Sequence, residues 1–319
     1  MKYGFVKVAA AVPALKVADC QFNVCETEKL IVEAENKGVQ IVVFPELNIT
    51  GYSCGDLFAQ NLLLEQAEMA LMQLLQNTRQ LDIISIIGIP LRVSSMLFNC
   101  AVVFQRGKIL AAVPKTYLPN YKEFYEKRWF APATSLSEGV TARFCGQQVP
   151  VGTDVLFESA DLCFGIELCE DVWAPVPPSS ALALKGAEVI FNLSADTENI
   201  GKHQYLRSLL AQQSARCLAG YVFSSCGFGE STTDVVFAGN GLIYENGILL
   251  AASERFSFSE QLVVSEIDVE RLRTERIVNT TFSESIRNFK GGETMSIPVD
   301  LCSEKDTVLT RPVEPHPFV

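Results

Sequence analysis

Short apolar runs that stop at polar residues alternate with longer stretches of helical period along most of this chain, and that alternation restricts the fold more than any other feature. Residues 6–12 read as a strand, and 24–37 as an amphipathic helix with Leu30, Ile31 and Ala34 inward and Gly38 at its stop. Residues 39–44 read as a second strand, 62–78 as a second helix and 83–89 as an apolar strand. A hairpin follows over 97–104 and 109–113, turned at Arg106-Gly107. Residues 162–166 suit a strand covered on both faces. Beyond it come a helical 180–185, a strand over 189–193, a helix over 204–218 that stops at Gly220, and a strand over 221–226. Runs 235–238, 242–244 and 248–251 make an antiparallel meander turned at Asn246-Gly247, and 262–267 closes the regular part. Helical crossovers and hairpins in one chain predict an α/β fold with mixed sheets. From about Asn288 the periodicity fails and the end, TRPVEPHPFV, is Pro-rich. The expected division is a body over 1–287 and an extended linker or tail over 288–319.

Composition removes several classes of function. With 319 residues, 48% of them hydrophobic, the chain can bury a large core. A net charge of −11 without a Lys/Arg cluster excludes a nucleic-acid surface. Ten cysteines in no regular framework and with no C-x-x-C pair point to reduced thiols rather than disulfides or a zinc ribbon, so no metal site is expected. The opening MKYGFVKVAAAVPALKV is faintly like a signal peptide, but its apolar run between Lys7 and Lys16 is short and continues a strand pattern. No apolar stretch approaches the ~20 residues of a membrane helix. A cytoplasmic protein without a membrane partner is the expectation.

Chemistry concentrates at LCFGIELCEDVW (162–173), where a strand-like run ends at Glu167, Cys169, Glu170 and Asp171. Ligand chemistry in open α/β proteins collects at such strand ends. A thiol among acids has a raised pKa and reacts poorly unless a base removes its proton or a cation offsets the acids. Cys169 is therefore either an inert core thiol or one served by groups from elsewhere in the chain. The two histidines are His203 and His316, the latter in the tail, so a Cys-His dyad would rest on His203. A carboxylate base with a lysine is the better chemical alternative. Glu46 and Lys115 each follow a strand-like run, and a long aromatic loop over 116–135 follows Lys115. Loops of that length in compact domains commonly line a site.

Three segments, FPELNITGY (44–52), PKTYLPNYKEFYEKRWF (114–130) and LCEDVW (168–173), resemble in order the Glu, Lys and Cys motifs of the nitrilase (carbon-nitrogen hydrolase) superfamily. In detail they look like the amino-terminal glutaminase domains of bacterial glutamine-dependent NAD synthetases, with the resemblance running from about residue 2 to 268. It implies an αββα sandwich with mixed sheets. It implies also that Glu46 takes the Cys169 proton, that Cys169 attacks the glutamine carboxamide, and that Lys115 stabilises the oxyanion. Glu126 matches the second glutamate of the family, which positions the lysine and the substrate. Tyr121 matches a glutamine-binding tyrosine, while Tyr52 and Trp173 lie in motifs that wall the pocket. Lys202 is the candidate partner for the substrate carboxylate. Ser194 is matched, but Asp196 stands where the family usually has a second serine, which alters how this segment meets the substrate.

The expected partners are glutamine, a C-terminal synthetase domain and further copies of the chain. No Ser-Gly-Gly-x-Asp-Ser pyrophosphate loop occurs, so no cofactor is expected here; ATP and deamido-NAD would belong to that synthetase domain. Two other readings stand beside this one: an amidase of the same superfamily acting on another small carboxamide, and a non-catalytic scaffold module.

Overall fold

The computed structural model describes residues 1, 3–301 and 308–313. In chain order the elements begin β1 (Phe5–Val12), α1 (Cys20–Asn36), β2 (Ile41–Val43), α2 (Asn61–Asn77), β3 (Ile84–Val93), β4 (Met96–Gln105) and β5 (Lys108–Pro114). A small hairpin, β6 (Thr141–Phe144) and β7 (Gln147–Pro150), leads to β8 (Val155–Glu158), β9 (Cys163–Leu168), α3 (Pro178–Leu184), β10 (Val189–Ser194), α4 (Lys202–Arg216) and β11 (Gly220–Ser225). The remainder is β12 (Gly241–Glu245), β13 (Ile248–Ala252), β14 (Gln261–Asp268), α5 (Val269–Val278), α6 (Thr280–Asn288) and β15 (Met295–Pro298).

Two mixed sheets form, one ordered β14-β1-β2-β3-β4-β5 and the other β13-β12-β11-β10-β9-β8-β15. They pack face to face through strand residues that alternate inward, among them Val8, Val43, Ile86 and Val103 from the first sheet against Ile166, Phe191 and Val222 from the second. The outer face of the first sheet, with Val42, Phe44 and Ile87, is covered by Ile31 and Ala34 of α1 and by Ala67 and Leu71 of α2. Leu182 of α3 and Leu206 and Leu210 of α4 cover Ile190, Tyr221 and Phe223 on the other side. The result is a four-layer αββα sandwich, as expected. Its middle layer is built of fully buried apolar side chains, so truncating Phe191 to Ala would cost about 3–5 kcal/mol.

Local chemistry explains where the elements depart from the sequence pattern. Helix α1 starts at Cys20 rather than at residue 24, because the Asp19 carboxylate accepts the Phe22 N–H at 3.0 Å and caps the first turn. Residues 235–238 form no strand; Phe237 makes only an isolated bridge to Thr197, and the meander begins at β12. The Asn246-Gly247 turn between β12 and β13 has both residues at positive φ, 45° and 84°. Helices α5 and α6 escaped the pattern because α5 is highly charged and buries only Val269 and Leu272, while α6 buries only Phe282. The described residues after 288 are joined to the body. Strand β15 pairs in parallel with β8, and Arg311 reaches Glu245 with one guanidinium N–H at 2.5 Å and the Glu266 carbonyl at 2.9 Å. The PHPFV ending, His316 included, lies outside the described residues. Among the described residues no helix is long and apolar enough to cross a membrane.

Candidate active site

Glu46 lies three residues beyond β2, and its backbone N–H donates to the Ser194 carbonyl at 3.2 Å, joining the first sheet to the end of β10. The turn is tight: Leu47 has φ 52°, and the chain presses onto β3 at Gly88. A Cβ at Gly88 would stand 2.1 Å from the Leu47 nitrogen and 2.7 Å from the Glu46 carbonyl carbon, so only glycine admits this path. The Gly88 N–H donates to Asn48 Oδ1 at 2.9 Å and its carbonyl accepts the Ile49 N–H at 3.2 Å, which fixes the Glu46 turn on the sheet.

Lys115 follows β5 directly. Its Nζ donates to Glu46 Oε1 at 2.6 Å and to Glu126 Oε1 at 2.7 Å, with all three side chains buried. Asn99 of β4 donates to the same Glu46 oxygen at 2.6 Å, and the Tyr52 hydroxyl donates to Glu126 Oε1 at 2.8 Å. The second oxygens of Glu46 and Glu126 accept nothing among the described residues. Burial alone would disfavour the lysine charge, but the Glu126 and Glu46 carboxylates outweigh it and hold Lys115 well above the ordinary lysine value. Burial pushes Glu126 up to about 7 against the pull of Lys115. A buried ion cluster is no general aid to stability, since well-packed apolar groups often serve as well, so its presence points to chemistry.

Cys169 follows β9 and sits in a left-handed turn with φ 40°, a conformation disfavoured for a residue with a side chain and frequent at functional sites. Burial and, next, the Glu46 carboxylate push its thiol well above the ordinary value, against the pull of Lys115. The neighbouring acids do not explain the thiol's surroundings in the way the sequence suggested. Glu167 turns away under α3, where it accepts the Tyr221 hydroxyl and the Ser179 N–H. Asp171 accepts backbone N–H groups of Leu168, Thr116 and Tyr117. The carboxylate and the ammonium that act most strongly on the thiol are instead those of Glu46 and Lys115, on the other sheet.

The thiol opens onto a cavity of about 400 Å³ lined by Tyr121, Glu123, Phe124, Glu170, Trp173, Asp196, Lys202 and Tyr205, among others. Lys202 Nζ pairs with Asp196 Oδ1 at 2.7 Å and lies 5.3 Å from the Trp173 ring centre and 5.8 Å from that of Phe124. Burial pushes Asp196 up to about 6 against the attraction of Lys202. The half-exposed Tyr121 donates its hydroxyl to Glu170 at 2.7 Å. Thus Tyr121, Trp173, Asp196 and Lys202 gather around one cavity, whereas Tyr52 lines a neighbouring one with Glu123 and Phe124, and Ser194 is fully buried. Tyr52 is occupied in holding Glu126, and Ser194 gives its carbonyl to Glu46.

Sequence reasoning passed over Asn99, Glu123 and Asn192. Asn99 was legible as the polar residue inside an apolar run, fully buried on β4. Glu123 accepts the Thr197 hydroxyl at 2.9 Å and the Asn199 amide at 3.1 Å, tying the aromatic loop to the cavity rim. Asn192 accepts the Cys169 N–H at 3.1 Å from within β10.

Residues 7–276 match the carbon-nitrogen hydrolase family. The chain is 40% identical over 324 aligned positions to the glutamine-dependent NAD(+) synthetase of Mycobacterium tuberculosis, covering 100% of this chain and 47% of that protein. Its counterpart from Mycobacterium leprae is 41% identical, covering 90% of this chain and 42% of the relative. The chain therefore spans about half the length of the curated relatives it matches. Among solved structures, a glutamine-dependent NAD(+) synthetase from Cytophaga hutchinsonii superposes with a TM-score of 0.72 at 28% identity, over 82% of this chain and 43% of that one. A carbon-nitrogen hydrolase from Helicobacter pylori shares the fold, with a TM-score of 0.69 at 20% identity over 90% of this chain and 96% of that one.

Proposed function

The chain belongs to the carbon-nitrogen hydrolase family, and from that premise we propose that it hydrolyses the side-chain amide of glutamine to glutamate and ammonia through a thioester on Cys169. The observation that carries this reading is the buried Glu46–Lys115–Glu126 cluster, set beside a thiol that faces a cavity with charges of both signs.

Glu46 takes the thiol proton as Cys169 attacks the carboxamide carbon, since the raised thiol pKa leaves little thiolate at neutral pH. The tetrahedral oxyanion is met by the Lys115 ammonium and by the backbone N–H of Glu170, and loss of one such donor typically costs about 3–4 kcal/mol in barrier. Glu46 returns the proton to the leaving nitrogen, ammonia departs, and a γ-glutamyl thioester remains. A water activated by Glu46 then releases glutamate and the thiol. Glu126 accepts a second hydrogen bond from Lys115, so the ammonium is fixed in place while Glu46 takes up and returns the proton.

Glutamine brings an α-ammonium and an α-carboxylate, and a site for it needs partners of each sign. The carboxylate is assigned to Lys202 and the ammonium to the acids around it, Asp196 and Glu170. Tyr121 and Trp173 supply the walls. A neutral aliphatic carboxamide would leave these charges without a role. The ammonia is destined for NAD synthesis from deamido-NAD in a synthetase domain that uses ATP, and the chain works in the cytoplasm as part of a homo-oligomer.

Ammonia and glutamate release from glutamine by the wild-type chain and by Cys169→Ala tests the proposal. Release by the first and none by the second is expected, with glutamine turned over at least about a hundredfold faster than a neutral amide of similar length, the size of effect a two-charge recognition site can supply. Equal turnover of the neutral amide would overturn the substrate assignment, and full activity of Cys169→Ala would overturn the mechanism.

A further inference from the structure

Behind the thiol a line of directed hydrogen bonds runs from strand to strand across the outer face of the second sheet. The Cys169 N–H donates to Asn192 Oδ1 at 3.1 Å, and Asn192 Nδ2 donates to the Tyr221 hydroxyl at 3.0 Å. That hydroxyl donates in turn to Glu167 Oε1, while the Ser179 N–H at the start of α3 donates to Glu167 Oε2 at 2.8 Å. The residues come from three adjacent strands, β9, β10 and β11, and all four side chains are buried. Every donor points towards Glu167. A carboxylate only accepts, so it orients the tyrosine hydroxyl, the hydroxyl orients the asparagine amide, and the amide presents its oxygen to Cys169.

A carboxylate in an apolar layer between a sheet and two helices is costly to desolvate, and an apolar side chain would fill that space without the expense. The expense has a local counterpart. Cys169 is held at φ 40°, and such a conformation persists where its surroundings over-determine it. Asn192 occupies the Cys169 amide, so that amide is not free to meet a substrate.

We propose that Asn192, Tyr221 and Glu167 are positioning residues that lock the Cys169 backbone in its left-handed turn and so set the direction of the thiol and of the Glu170 amide. The proposal rests on the reading of Cys169 as the nucleophile.

Tyr221→Phe removes the relay hydroxyl alone. Tyr244→Phe is its control: Tyr244, on β12, is the buried tyrosine paired across the strands with Tyr221, and its hydroxyl takes no part in the line to Cys169. Two readouts are compared: the second-order rate of iodoacetamide modification at the Cys169 peptide, followed by mass spectrometry, and kcat and KM for glutamine. Tyr221→Phe and Asn192→Leu are expected to slow modification and to lower kcat by about tenfold while KM stays within about twofold. Tyr244→Phe is expected to match the wild type. Should Asn192→Leu fail to fold, Tyr221→Phe decides alone. Wild-type rates in Tyr221→Phe, or an equal loss in Tyr244→Phe, would overturn the relay. Absence of glutamine turnover in the wild-type chain would count against the glutaminase reading only, because the modification rates still compare the variants directly.

Discussion

The Asp171 carboxylate accepts the backbone N–H of Tyr117 at 2.8 Å, which fastens the turn carrying the thiol to the loop carrying the lysine. The same side chain accepts the Leu168 N–H at 3.0 Å and the Thr116 N–H at 3.2 Å, so one acid ties the ends of β5 and β9 across the sandwich. Asp171→Ala strands three N–H groups near the thiol. It should lower stability by at least about 3 kcal/mol and take most of the glutamine turnover with it. Thermal unfolding followed beside glutamate formation checks this; an unchanged melting temperature would mean that water replaces the carboxylate without loss.

Asn99 touches both functional strands of the first sheet, through Nδ2 to Glu46 Oε1 at 2.6 Å and through its carbonyl to the Lys115 N–H at 2.8 Å. Asn99→Leu leaves the three charged groups present but frees Glu46 to turn, and kcat should fall by about ten- to a hundredfold. Lys115→Met and Glu46→Gln should each remove several orders of magnitude, and the double variant should be scarcely worse than either, as expected of groups that act as a unit. Near-normal turnover in Lys115→Met would reduce the lysine to a structural cation.

The thiol and its base predict a particular pH response. Burial and Glu46 hold the Cys169 pKa well above its ordinary value of 9.0, so across the neutral range the thiolate is the minor form. Its fraction rises tenfold with each pH unit until the pKa is reached. Chemical modification of Cys169 should therefore climb with pH, with no plateau below about pH 9. Glutamine turnover should not share that climb, because Glu46 removes the proton during attack. A modification rate that levels off near neutral pH would mean that the thiol is already ionised and needs no base.

The three motif segments, the strand-helix alternation and the position of the thiol at a strand end were all readable, because each is a local pattern of residue types. What stayed hidden was the side to which a side chain turns. Glu167, Glu170 and Asp171 look alike beside Cys169, yet Glu167 goes outward under α3, Asp171 binds backbone N–H groups, and Glu170 stays on the cavity with Tyr121. Strand alternation separates Glu167 from its neighbours, but the short turn after β9 has no period to read. Tyr52 and Ser194 sit in matching motifs and still do not line the cavity at the thiol; the Gly51–Tyr52 turn is pinned by Glu230, whose Oε1 accepts the Tyr52 N–H at 2.6 Å from 178 residues away. Lys202 was readable as a candidate carboxylate partner, but its pairing with Asp196 was not, because it depends on the loop between β10 and α4. Strand β15 pairs across a long separation with β8, and four residues give too little period to mark it as part of a sheet.

The claim that Cys169 attacks glutamine, with Glu46 and Lys115 in service, is tested most directly by a glutamine-shaped electrophile and intact-mass spectrometry. The account predicts one adduct per chain, located on the Cys169 peptide, suppressed by glutamine but not by a neutral amide, and absent or strongly slowed in Glu46→Gln and Lys115→Met. Labelling spread over the other cysteines, or labelling of Cys169 that glutamine fails to suppress and that Glu46→Gln leaves unchanged, would contradict it.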